Sequence, residues 1–194
     1  MSGRARRFDR VERLVHWSYA LIFLGLILTG ALLVWSPAWR AVAVGGQRVV
    51  PAIHVALGLA LLAAPFLPGV RGRGGSLRSD VRAWLRWRPA DLAWLALAPL
   101  SIVARRLRLP EQPRFNAGQR LNALWSVVAW ALLGLTGLTI WSDRATPIQW
   151  REAAYEWHLL LALVSTVVVA GHVAVAAAHP ASMRAMLTGR ARPR

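Results

Sequence analysis

The chain has 194 residues, 56% of them hydrophobic, and a mean hydropathy of +0.41, which predicts an integral membrane protein rather than a water-soluble domain. It contains no cysteine, which excludes a disulfide framework, a covalent c-type haem and a cysteine-ligated iron–sulfur cluster. Its net charge of +16 comes from 24 arginines without lysine. Because the aromatic residues flank the apolar segments instead of lining a basic groove, nucleic-acid binding is not indicated.

Four apolar segments predict an all-α fold, an up-and-down four-helix membrane bundle forming a single domain over residues 1–194. The predicted spans, in chain order, cover about residues 14–35, 51–68, 121–141 and 154–178. Between the second and third spans, the apolar stretch Asp91–Ala104 is too short to cross a hydrocarbon core of about 30 Å. With tryptophans around it, this stretch is expected to form an interfacial helix in the middle loop.

The arginines predict the orientation of these spans. Twenty arginines lie before residue 14, between residues 71 and 120, or after residue 179, and four lie in the other two loops. By the positive-inside rule, both termini and the middle loop are expected in the cytoplasm of a bacterial cell, with the spans in its inner membrane. The basic surface is then a topology signal with an affinity for membrane lipid.

Four histidines lie near the ends of the spans, where an ionisable side chain indicates function. His158 and His172 share the fourth span, and their 14-residue separation is about 21 Å along nearly the same helix face. Since the spans alternate in direction, His172 has the cytoplasmic depth of His16, and His158 has the external depth of His54. Two imidazoles at one depth are typical of a b-type haem. The pattern therefore predicts two non-covalent bis-histidine haems, an inner one held by His16 and His172 and an outer one held by His54 and His158.

His179 is the alternative inner ligand, because it lies seven residues after His172 on the same face. It would lie about 31 Å from His158, at or beyond the membrane edge. The adjacent Pro180 also indicates that the helix is ending. We therefore expect His172 to be the ligand. Five glycines of the spans are candidates for a close approach of a porphyrin or for ordinary packing between helices: Gly30, Gly58, Gly134, Gly137 and Gly171. Gly58 and Gly171 lie nearest to the histidines along the chain and are the better candidates for the porphyrin.

Four segments together resemble a known family: Arg7–Trp17 (RFDRVERLVHW), Thr29-Gly30, Arg114–Arg120 (RFNAGQR) and His158–Gly189. They are similar to the cytochrome b, or gamma, subunit of membrane-bound formate dehydrogenases. That family belongs with the b-type cytochromes of nickel–iron hydrogenases and thiosulfate reductases. The F-N-A-G-Q stretch and the spacing of the two histidines are its more specific features, while the arginine- and tryptophan-rich middle loop departs from it.

The resemblance implies an electron-transfer and membrane-anchoring subunit with two b haems. It implies a menaquinone or ubiquinone site on the cytoplasmic side, formed by Asn116, Gln119 and His172. It also implies two partners on the periplasmic side, an iron–sulfur subunit and a molybdenum or tungsten catalytic subunit, with formate dehydrogenase as the first candidate. The chain itself would not act on the primary substrate, and would be the quinone-reducing subunit of the complex.

Other interpretations stay open from the residues. Asn116 just ahead of an apolar helix is a standard N-cap, and Gln119 is an ordinary polar residue of a first turn. A stand-alone quinone-reactive cytochrome of the bacterial b561 type and a hydrogenase cytochrome subunit are alternative functions. A haem-free anchor or a transporter is the remote alternative, although no Asp or Glu lies deep in any span, where a transported metal would be expected to bind.

Overall fold

The computed structural model describes residues 8–66, 75–104, 106–113 and 115–189. Its helices, in chain order, are α1 (Arg10–Trp35), α2 (Pro37–Ala41), α3 (Val49–Ala63), α4 (Gly75–Leu85), α5 (Pro89–Val103), α6 (Ala117–Trp141), α7 (Ile148–Ala178) and α8 (Pro180–Thr188). A 3-10 turn, Ala64–Phe66, extends α3, and two short strands, β1 (Ala43–Val44) and β2 (Gln47–Arg48), precede it.

Four of the described helices are long and apolar enough to cross a membrane: Arg10–Trp35, Val49–Phe66, Ala117–Trp141 and Ile148–Ala178. The predicted all-α membrane fold with four spans is therefore confirmed. The end of the predicted second span, residues 67 and 68, lies outside the described residues. The described residues divide into two compact units, one within residues 1–73 and 129–194 and the other within residues 74–128.

All four spans begin earlier than the apolar pattern predicts, α3 by two residues and the other three by four to six. Helix α1 starts at Arg10 rather than residue 14, because Asp9 and Glu12 form a capping box in which each side chain accepts a 2.7 Å hydrogen bond from the other's backbone N–H. Helix α7 starts at Ile148 rather than residue 154. Hydropathy marks only the part of a helix that the membrane covers, so it misses the polar turns that continue beyond the membrane.

In the first unit, glycines allow the spans to approach each other. A Cβ added at Gly25 of α1 would lie 3.0 Å from Leu57 Cδ1 of α3. At Gly134 of α6, the side chain of Leu62 occupies the space that a Cβ would need. Small residues serve this purpose between membrane helices, where close packing replaces the hydrophobic effect as the driving force.

The C-terminal helix α8 returns to the start of α1. The indole Nε1 of Trp17 donates to the carbonyl oxygen of Met186 at 3.4 Å. Gly189 ends α8 with a φ of +79°, and a Cβ there would lie 2.9 Å from the carbonyl oxygen of Phe8. A larger residue at this position would be both strained and crowded.

The second unit contains a buried ion pair. Asp91, in the first turn of α5, and Arg120, in the first turn of α6, are almost completely shielded from solvent. Arg120 Nη2 lies 2.5 Å from Asp91 Oδ1, and the guanidinium also donates to the carbonyl oxygen of Arg86 and lies 5.1 Å from the ring centre of Trp87. Burial raises the pKa of Asp91, but hydrogen bonds from Arg120 and Arg88 outweigh it and hold the pKa below its usual value. The pair is therefore charged at neutral pH and fixes α5 against the start of α6.

The middle loop contains one helix more than predicted. Helix α5 corresponds to the predicted interfacial helix, and α4 precedes it. Neither is among the described helices that are suited to cross a membrane. The loop between the first two spans also contains a β-hairpin, which turns at Gly45 and Gly46, both with positive φ.

Candidate functional site

The structure brings His54 and His158, here called the outer pair, into contact. His54 lies in the second turn of α3 and His158 in the third turn of α7. Their ring centres are 6.3 Å apart and their ring planes meet at 73°. Both side chains are half-buried between the spans of the first unit.

A threonine on a neighbouring helix contacts each ring of the outer pair. Thr29 Oγ1 of α1 lies 2.7 Å from His54 Nδ1, and Thr136 Oγ1 of α6 lies 2.9 Å from His158 Nδ1. A second partner of this kind fixes which ring nitrogen is protonated and how the ring is oriented. Each imidazole is therefore held through Nδ1, which leaves Nε2 available to bind a metal.

A glycine follows each threonine and makes room for the ring. A Cβ at Gly30 would lie 3.5 Å from His54 Cε1, and one at Gly137 would lie 3.3 Å from His158 Cε1. Gly58 and Gly171 are the glycines that the sequence favoured, but they do not contact the imidazoles. A Cβ at either would meet no described atom within 4 Å. The glycines that contact the imidazoles thus lie on the facing helices rather than next to the histidines along the chain.

His16 and His172, here called the inner pair, also come together. Their ring centres are 6.3 Å apart with an angle of 58° between the planes, and Trp17 contacts His16 edge-on at 5.3 Å. His179, the alternative to His172, instead ends α7, with its Nδ1 2.8 Å from the carbonyl oxygen of Val175. Within the described part of the chain, no hydroxyl contacts the rings of the inner pair.

The spacing of both pairs fits two ligands on one haem iron. A metal–imidazole bond is about 2 Å long and the ring centre lies about 1 Å behind the nitrogen, so rings on opposite sides of one ion have centres about 6 Å apart. Among the described residues, no three His, Cys, Asp or Glu side chains group together to hold a bare ion. Each pair thus offers two axial donors, which suits a metal whose other ligands come from a porphyrin.

Asn116 and Gln119 cap helix α6. The backbone N–H of Gln119 donates to Asn116 Oδ1 at 2.8 Å, and the backbone N–H of Asn116 donates to Gln119 Oε1 at 3.0 Å. This reciprocal arrangement is a capping box, with both side chains satisfying backbone amides. Both residues lie in the second unit and His172 lies in the first, so their joint contact with a quinone stays a prediction.

Sequence reasoning missed Thr136 and the role of Thr29, which entered only as part of the family resemblance. A threonine inside an apolar helix usually bonds to its own backbone and therefore attracts no attention. The available signal was a repeated tripeptide, since Leu-Thr-Gly occurs at residues 28–30 and again at residues 135–137.

The comparisons with known proteins agree with this geometry. A family model described as prokaryotic cytochrome b561 matches residues 7–189, which is nearly the whole chain. A search of curated proteins found no match. The predicted membership of a b-type cytochrome family is confirmed by the family match. The described residues contain four helices suited to span a membrane and two histidine pairs. By the family match, the chain belongs to the prokaryotic cytochrome b561 family, whose members are membrane proteins that bind haem b and transfer electrons.

Proposed function

We propose that the protein is a di-haem subunit that passes electrons from a redox partner outside the cell membrane to the quinone pool. The observation that carries this proposal is the presence of two histidine pairs, each with ring centres 6.3 Å apart, at two levels of one helix, α7. Their members on α7 are 14 residues apart, which is about 21 Å of helix rise. Two sites at this separation lie near the opposite faces of a core of about 30 Å.

The four histidines would hold the two haems, and the fold sets the distance between the two pairs. Each haem, when bound, would supply one-electron redox chemistry. His54 and His158 would hold the outer group, and His16 and His172 the inner one. The arginine distribution supports an orientation with both termini and the middle loop in the cytoplasm of a bacterial inner membrane. The outer pair then faces the electron donor and the inner pair faces the side from which quinone takes protons.

We place the quinone site beside His172, with Asn116 and Gln119 as further contacts, on the strength of the F-N-A-G-Q resemblance. The role of Asn116 as a helix cap and its proposed role as a quinone contact can be separated by substitution, because the two roles require different side chains. Asn116→Ser keeps an N-cap acceptor, whereas Asn116→Ala removes it and is expected to cost about 1 kcal/mol of stability. We expect both variants to lose quinone reduction, measured as the rate at which added quinone reoxidises the reduced cytochrome. A normal rate in Asn116→Ser would show that Asn116 serves only as a cap.

We propose an iron–sulfur subunit and a molybdenum or tungsten enzyme, first of all a formate dehydrogenase, as the source of the electrons. The support is the extended similarity to the gamma subunit, including the spacing from His158 to His172. A nickel–iron hydrogenase is an alternative partner. The match to prokaryotic cytochrome b561 favours a second candidate, a stand-alone cytochrome that reacts with quinone without a large partner.

One purification tests the function and separates these candidates. The protein is extracted from haem-replete cells of its source in a mild detergent, and its haem is counted by the pyridine haemochrome method. We expect about two b haems per chain, as two bis-histidine sites require. A folded protein without haem would contradict the proposal. Molybdenum or tungsten in the same preparation would identify the enzyme partner, nickel would identify a hydrogenase, and neither metal would favour the stand-alone cytochrome.

A further inference from the structure

We propose that Thr29 and Thr136 are positioning residues that hold His54 and His158 by their Nδ1–H groups and thereby lower the redox potential of the outer haem relative to the inner one. The inference rests on the proposed function, since it concerns the haem that the outer pair would hold. It assigns a role to two side chains that are neither haem ligands nor quinone contacts.

The direction of these hydrogen bonds follows from the second contact of each hydroxyl. Thr29 Oγ1 lies 2.8 Å from the carbonyl oxygen of Gly25, and Thr136 Oγ1 lies 2.7 Å from that of Leu132. Two oxygens at such distances repel each other unless a hydrogen lies between them, and a carbonyl has none to give. The single hydroxyl hydrogen is therefore directed to the carbonyl, one turn earlier in the same helix.

The hydroxyl oxygen consequently presents a lone pair to the ring, and the imidazole must be the donor. With the hydrogen on Nδ1, the neutral ring keeps its free lone pair on Nε2, the nitrogen that is left to bind a metal. Both rings of the outer pair are held in this tautomer by the same device. Neither ring then has to change its tautomer when a ligand bond forms.

The same arrangement of threonine, glycine and histidine occurs twice, once in each half of the first unit. Leu28-Thr29-Gly30 on α1 serves His54 on α3, and Leu135-Thr136-Gly137 on α6 serves His158 on α7. In each case the threonine takes the ring hydrogen, while the glycine leaves room for Cε1. An incidental threonine–histidine contact would not be expected to recur with the same neighbours on two separate helices.

Among the described residues, threonine hydroxyls contact the rings of the outer pair but not those of the inner pair, and this difference affects the redox potentials of the two haems. A hydrogen bond from Nδ1–H makes an imidazole a stronger donor to the metal, which favours ferric over ferrous iron and lowers the potential. The described residues provide such an acceptor hydroxyl to both rings of the outer pair and to neither ring of the inner pair. These hydrogen bonds thus lower the potential of the outer haem relative to the inner one, which is the direction that favours electron flow from the outer side to the inner side.

The test uses isosteric variants and a matched control in the purified protein. Thr29→Val and Thr136→Val remove the hydroxyl with little change of shape, and Thr29→Ser and Thr136→Ser keep it. Thr139→Val is the control, because the hydroxyl of Thr139 lies one turn further along α6 and donates to the carbonyl oxygen of Leu135 at 2.9 Å. Potentiometric titration and the electron paramagnetic resonance spectrum of the ferric haems are the measurements. The component that is missing from His158→Ala identifies the outer haem.

We expect each valine variant to raise the outer potential and leave the inner potential unchanged, with a larger rise in the double variant. A tenfold loss of preference for ferric iron would appear as a shift of about 59 mV. The serine variants should behave like the wild type. Loss of the outer haem alone in the valine variants, with retention in the serine variants, would also support the assignment.

Valine variants that match Thr139→Val in potential and in resonance spectrum would overturn the inference. Equal shifts of both haems would overturn it as well, because they would indicate a general disturbance. If the valine variants fail to fold, Thr29→Ala and Thr29→Ser are compared instead, and equal outer potentials in these two would reject the role. A wild-type protein without haem would reject the proposed function itself. The failure of the proposed function can therefore be distinguished from the failure of the inference about the threonines.

Discussion

Replacing His158 with alanine is expected to reduce the haem content from about two to about one b haem per chain. The remaining ring of the outer pair, that of His54, would offer one axial bond where the site is built for two. His54→Ala should remove the same haem. His16→Ala and His172→Ala should each remove the other one, because their rings form the second pair. Haem counting of the four variants shows how many haems are lost, and potentiometric titration shows which of the two haems is lost.

His179→Ala is the matched control for this series, since it removes an exposed histidine from the end of the same helix. It should retain both haems. Loss of one haem in His179→Ala, with both retained in His172→Ala, would contradict the inner assignment. Loss of the same redox component in His16→Ala and His54→Ala would contradict the pairing as a whole.

Arg120→Met is expected to lower the melting temperature of the purified protein by about 10 °C, because it leaves the buried carboxylate of Asp91 without its main partner. The double variant Asp91→Leu/Arg120→Met should recover most of this loss, since an apolar pair replaces the charged one. Arg88→Ala is the control, because that side chain is about half exposed and lies 3.5 Å from Asp91. A surface pair of this kind contributes little, so its melting temperature should stay within about 2 °C of the wild type.

The pH dependence of the melting temperature gives an independent measurement of the stabilisation by the ion pair of Asp91 and Arg120. The pKa of Asp91 is lower in the folded protein than in the unfolded chain, so its stabilisation is complete above the ordinary carboxyl value of about 4 and is lost as the pH falls through the lower folded value. The advantage in melting temperature of the wild type over Asp91→Asn should therefore be constant between about pH 5 and pH 8 and narrow below about pH 4. An advantage that does not depend on pH would contradict a charged pair.

Hydropathy and helix periodicity are sufficient to predict the four spans and to place His16 with His172 and His54 with His158. They work because a membrane fixes the length of each span and alternation fixes the depth of each residue. Whether the pairs ligate haem, and whether Asn116 and Gln119 contact quinone, stay predictions.

Details that depend on hydrogen bonds rather than on hydropathy could not be predicted in this way. The capping box at Asp9 extends α1 by a full turn, and its D-x-x-E pattern lies in the polar segment ahead of the span. The contacts of Thr29 and Thr136 join neighbouring spans, 25 and 22 residues apart along the chain, and the repeated Leu-Thr-Gly tripeptide does not by itself show which histidine each threonine contacts. The pairing of Asp91 with Arg120 across 29 positions is likewise a tertiary event.

The way the histidine pairs are divided along the chain has a consequence for biosynthesis. Each pair takes one member from the first two spans and its other member from α7, so the outer pair cannot form before His158 is synthesised and the inner pair cannot form before His172 is synthesised. At about 5–20 residues per second, some 100 residues separate His54 from His158 by roughly 5–20 s. During that time the membrane holds a nascent hairpin with two unmatched imidazoles. A chain that stops short of α7 can complete neither pair, so a polypeptide that holds haem stably at either pair has been translated into the fourth span.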